Sequence, residues 1–107
     1  MNFTFELLHK IDNVLNDEID VIVNLLEDKS KYHVTFVTYI RAKEIFEENG
    51  FSLFSNTIFI EKLTEEEIQK SLKYVIDELI YQSIFYPINS QSIKKINKKY
   101  SLEQEIK

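Results

Sequence analysis

Phe51-Ser-Leu-Phe-Ser-Asn-Thr-Ile-Phe-Ile-Glu-Lys62 is the stretch on which the reading of this chain turns. It follows Gly50, the single glycine among 107 residues. Phe51 and Leu53 alternate with Ser52, and Ile58 and Ile60 alternate with Phe59. Alternation at period two marks a half-buried strand. Ser55-Asn56 lies between the halves as a small polar pair. The stretch therefore predicts a β-hairpin, although the strongest two-residue turns place Gly second.

Outward from it on the N-terminal side, Arg41 to Asn49 predicts a helix. Ala42, Ile45 and Phe46 would face inward, with Lys43, Glu44, Glu47 and Glu48 outward. Asn49-Gly50 ends it, because glycine takes the left-handed cap without steric cost. Before that, Tyr32–Thr38 (YHVTFVT) is β-branched and aromatic, which suits a central strand. Val34 and Phe36 face one way, and His33, Thr35 and Val37 the other.

On the C-terminal side, Thr64-x-x-Glu67 is a capping box, and Glu65, Glu66 and Glu67 favour the positive end of a helix. Ile68, Leu72, Val75, Ile76 and Leu79 form its inward stripe, and the helix runs to about Tyr81. Ser83–Ile88 reads as a last strand at a sheet edge, since Pro87 cannot donate to a ladder. Residues 89–107 are a lysine-rich tail with a helical pattern over 90–100.

At the N-terminus, Leu7, Leu8, Ile11, Val14, Leu15, Ile19, Ile22, Leu25 and Leu26 recur at three- and four-residue spacing, which predicts a helical segment within residues 1–30. A competing reading makes Phe3, Phe5 and Leu7 one face of a first strand. The chain is of a size for one domain. Its predicted class is α+β: an N-terminal helix, a core over 32–88 in the order β-α-β-β-α-β, and the tail. That order resembles ferredoxin-like domains, an architecture that hosts many unrelated functions.

The chemistry that the chain lacks narrows its function. There is no cysteine, hence no disulfide framework and no thiolate metal site. His9 and His33 stand in no metal-ligand spacing. One glycine cannot build a phosphate-cradling loop, and Ser52 and Ser55 lack a nucleophile's glycine-flanked turn. Small ferredoxin-like nucleases end their first strand on an acidic residue, and Tyr32–Ile40 contains none. The expectation is a non-enzyme without metal or cofactor. No apolar run approaches the ~18 residues of a membrane span, and Met1–Lys10 lacks the basic start of a secretory signal. A cytoplasmic protein of bacterial type is expected.

Charge supplies the positive signal. The chain carries a formal net charge of −5. Residues 1–80 hold eight Lys/Arg against sixteen Asp/Glu, and residues 81–107 hold five Lys against two Glu. An acidic body repels nucleic acid and attracts basic partners. Three acidic faces stand out; Asp12, Asp17, Glu18 and Asp20 form one, and the other two are the candidates for contact. One is Glu44, Glu47 and Glu48. The other combines Tyr74, Asp77, Glu78 and Tyr81, with the tyrosines as anchors. These features point to a small binding protein of the immunity-protein or antitoxin type, directed at a basic nuclease-type toxin. The alternatives are a DNA-mimicking phage-type inhibitor, such as an anti-CRISPR protein, and a homo-oligomeric regulatory domain.

Overall fold

The computed structural model describes residues 1–88; the lysine-rich tail expected over 89–107 lies outside the described residues. The elements run β1 (Phe3–Leu7), β2 (Glu18–Leu25), β3 (Ser30–Thr38), α1 (Tyr39–Asn49), β4 (Thr57–Ile60), α2 (Glu65–Asp77), α3 (Tyr81–Ile84) and β5 (Tyr86–Ile88). The chain is a small α+β fold on one mixed sheet. Among the described residues, no helix is long and apolar enough to cross a membrane.

β1 and β2 pair antiparallel, as do β2 and β3. The far edge of β3 is shared end to end by two short strands. β4 lies parallel to Thr35–Thr38, and β5 lies antiparallel to Lys31–His33. Asn56 stitches the junction. Its backbone carbonyl accepts from Thr35 N at 3.0 Å, and its amide Nδ2 donates to the Ile84 carbonyl at 2.8 Å. Asn56 has φ of 51°, a left-handed conformation that Asn tolerates better than most residues.

The main core cluster lies on one face of the sheet. Ile19, Val21, Val23 and Leu25 alternate along β2 and meet Val34 and Phe36 of β3. Ile68, Leu72, Val75 and Ile76 of α2 cover them, with Tyr81 and Phe85 closing one end. The N-cap half of the predicted capping box forms: the Thr64 hydroxyl accepts from Glu67 N at 3.2 Å. Gly50 ends α1 at φ of 77°, and its N–H donates to the Phe46 carbonyl. β3 contains the predicted strand Tyr32–Thr38.

Two expectations fail, each for a physical reason. There is no N-terminal helix; the chain starts with β1 and β2, and the ferredoxin-like order after a helix is not observed. The three-residue spacing of Ile19, Ile22 and Leu25 arises because β2 buries residues on both faces. Ile22 is buried on the face opposite Ile19 and Leu25. Asn13 then turns the chain between the strands, its Oδ1 accepting from Leu15 N and Asn16 N. The hairpin is also absent. Residues 51–54 form no strand, and β4 pairs in parallel with β3 after the crossover through α1. Phe51 and Leu53 had the alternation of a strand, but they are exposed and have no neighbour to pair with.

Smaller corrections follow from the same geometry. α2 stops at Asp77, and Leu79 lies exposed at φ of 59° instead of continuing the inward stripe. Phe46 of α1, expected inward, is exposed as well.

Candidate functional site

The second face of the sheet carries a polar cluster that strand geometry assembles. Asp20 of β2 stands directly across from Thr35 of β3, and His33 lies two residues further along β3 on the same face. The Thr35 hydroxyl donates to Asp20 Oδ1 at 2.8 Å, and His33 Nε2 lies 3.0 Å from the same oxygen. Oδ2 takes no bond among the described residues. Burial alone would push the Asp20 carboxyl up; the hydrogen bonds from His33 and Thr35 and the nearby histidines outweigh it and hold the carboxyl below its usual range.

Thr38, fully buried at the end of β3, ties that strand to α1. Its hydroxyl accepts from Arg41 N at 3.2 Å, which caps α1, and from Asp17 N at 3.2 Å. Asp17 in turn accepts from Asp12 N at 2.9 Å and Glu18 N at 2.8 Å. Its partial burial works against ionisation, but these backbone donors overcome that and lower its carboxyl. The loop before β2 is thus pinned to the start of α1. Asn16 Nδ2 adds a bond to Glu44 at 2.8 Å.

Between these parts lies a cleft of about 470 Å³. Asp17, Glu18 and Asp20 line it from β2 and the loop before it, and Ile45, Leu53 and Phe54 from α1 and the segment after it. Phe54 is braced edge-on by Phe59, with ring centroids 5.0 Å apart. Among the described residues, no three His, Asp or Glu side chains gather closely enough to hold a metal ion.

The structure separates the predicted contact residues. Glu44, Glu47 and Glu48 are on α1, beside the second face. Glu44 is half-buried and held by Arg41 at 3.3 Å as well as by Asn16, while Glu47 and Glu48 are exposed. Tyr74, Asp77 and Glu78 are on or at the end of α2, across the sheet. Tyr74 is exposed, Asp77 pairs with Lys73 at 2.8 Å, and Glu78 caps α2. Tyr81 is not on that surface. It is 6% exposed and packs edge-on against Tyr32 at 5.7 Å, because the chain turns after Asp77 and swings α3 into the core. Tyr81 therefore has no free surface with which to anchor a partner.

α1 presents a surface that sequence reasoning missed. None of its residues is buried. Tyr39, Ile40 and Phe46 are exposed on it, and Phe51 and Leu53 extend the apolar surface beyond its end, Leu53 at 87% exposure. Lys43 and Glu47 stand among them as an i, i+4 pair at 3.9 Å. No protein-family model, curated protein or solved structure matches this chain.

Proposed function

We propose that this chain is a small acidic binding protein that neutralises a basic protein partner, of the immunity-protein or antitoxin type. It docks through the outward side of α1 and the segment that follows it. The observation that carries the reading is the run of exposed Tyr39, Ile40, Phe46, Phe51 and Leu53 on and after a helix that buries none of its own residues. Exposed apolar surface rimmed by charge is the usual form of a protein interaction site. Glu47 and Glu48 supply such a rim, and the net charge of −5 gives it an acidic surrounding field. The α2 surface is the weaker candidate, because it loses Tyr81 to the core and Asp77 to Lys73.

The test is to isolate the bound partner and measure its binding kinetics. A partner with a basic contact surface should associate more slowly as salt rises. Phe46→Ala and Tyr39→Ala should each cost about 2 kcal/mol, chiefly in the off-rate. Glu47→Ala and Glu48→Ala should cost below about 1 kcal/mol each, chiefly in the on-rate. An acidic partner surface, or unchanged kinetics in all four variants, rules out the reading.

A second reading, self-association, draws on a separate feature. The outer edges of β1 and β4 carry no further strand among the described residues. Unpaired strand edges are templates for pairing with another copy. Sedimentation across a hundredfold concentration range distinguishes the two readings.

A further inference from the structure

The cleft beside α1 differs in chemistry from the outward side of the helix. We propose that it receives one guanidinium or alkylammonium head on an aliphatic stem, presented as an arginine or lysine side chain of the basic partner. The source of that side chain rests on the function proposed above, whereas the chemistry of the cleft does not.

Three features support the assignment together. The first is an acceptor already held in place. Asp20 Oδ1 takes both the Thr35 and the His33 bonds, which fixes the carboxylate plane and leaves Oδ2 without a partner among the described residues. A positioned carboxylate with an unused oxygen is what a charge-assisted bond from a cation needs. The second is the apolar part of the lining. Ile45 offers an aliphatic surface for a stem, with the largely exposed Leu53 contributing to the lining, and Phe54 offers an aromatic ring for the head. Phe59 packs edge-on against that ring, with centroids 5.0 Å apart. The third is size. About 470 Å³ lies within the range of ligand clefts and admits a long basic side chain with its bridging waters. Asp17 and Glu18 add negative charge to the lining, and no lysine or arginine among the described residues lines the cleft.

The experiment is a titration of the whole chain with n-butylguanidinium and n-butylammonium, followed by amide and methyl NMR at pH 8. n-Butanol serves as the uncharged control, and Nα-acetyl-arginine amide as the peptide-borne form of the head. Saturable shifts are expected at Thr35, Val37, Ile45, Leu53 and Phe54, in about the millimolar range normal for so small a ligand. Butanol should bind at least about tenfold more weakly, and Asp20→Asn should weaken the cations by about tenfold. Phe54→Ala should weaken them without abolishing a folded spectrum, and it serves as the second variant if Asp20→Asn unfolds. Equal shifts with butanol, or shifts spread over exposed carboxylates and unchanged by both variants, overturn the proposal. Cation binding in the cleft with a partner indifferent to α1 variants keeps the cleft and removes the α1 reading. A partner held through α1, with no cation in the cleft, does the reverse.

Discussion

His33 reaches diagonally across the sheet to Asp20, its Nε2 3.0 Å from a carboxylate oxygen that Thr35 also holds. The bond lies on the second face and links two strands whose main core cluster lies on the first. Asp20 is held below its usual carboxyl range in the folded state. Its ionised form therefore adds stability that is complete above the unfolded value of about 3.9 and is lost as pH falls through the lower folded value. Urea unfolding from pH 6 to pH 2 should show this acid loss, and Asp20→Asn should reduce it. Part of the loss should remain, because Asp17 is lowered too. An unaltered pH profile in the variant contradicts the assignment.

Leu72 is fully buried between α2 and the sheet. Leu72→Ala should cost roughly 2–5 kcal/mol, from lost burial and the cavity left behind. Equilibrium denaturation measures it, and a shift below about 1 kcal/mol contradicts the packing described.

Two threonines cap two helices, and their environments differ. Thr64 is half-buried and satisfies one amide, so Thr64→Ala should cost about 1 kcal/mol. Thr38 is fully buried and satisfies two, those of Arg41 and Asp17. Thr38→Val keeps the shape but strands both donors, and should cost about 2–3 kcal/mol. The ordering of the two variants in thermal unfolding is the check.

Leu79 holds a left-handed φ of 59° just past α2, with its side chain exposed. A helix commonly ends with glycine in that conformation. Leu79→Gly should raise stability by about 0.5–1 kcal/mol, since it relieves backbone strain while removing little buried surface. Destabilisation would mean that the Leu79 side chain packs in a way its exposure does not suggest.

Much of the second half of the chain was legible because local chemistry and burial agree there. Thr64, the glutamates after it and the Ile68–Leu72–Val75–Ile76 stripe all specify one helix, and Gly50 specifies one stop. The first half misled because β2 is buried on both faces. A strand of that kind loses its alternation and, with Ile22 between Ile19 and Leu25, takes on helical spacing. The β-branched run Ile19-Asp-Val-Ile-Val23 carried the opposing signal, and propensity outweighed period. The polar cluster was hidden by the same error. Only when residues 18–25 are a strand, turned back through Leu26–Lys29 onto β3, does Asp20 come opposite Thr35. The hairpin failed for a different reason: alternation over Phe51–Leu53 describes the sequence but supplies no strand for it to pair with. Exposure of the α1 aromatics was not readable at all, because it depends on how far the helix stands from the sheet.

The divided edge of β3 also implies a hierarchy of opening. β5 is three residues long, and Pro87 has no amide to give. It can detach while β1 to β4 remain closed, a partial unfolding that leaves half of one strand edge bare. In deuterium exchange, the amides that β3 shares with β5 should exchange well before those it shares with β4, although they belong to the same strand. Any agent that captures the detached state, whether a protease at residues 85–88 or a competing strand from another chain, would act on this minor population and not on the folded majority. Fixing Asn56 to the Ile84 carbonyl is then a latch on that opening, and Asn56→Ala should make the two halves of the edge exchange further apart in time.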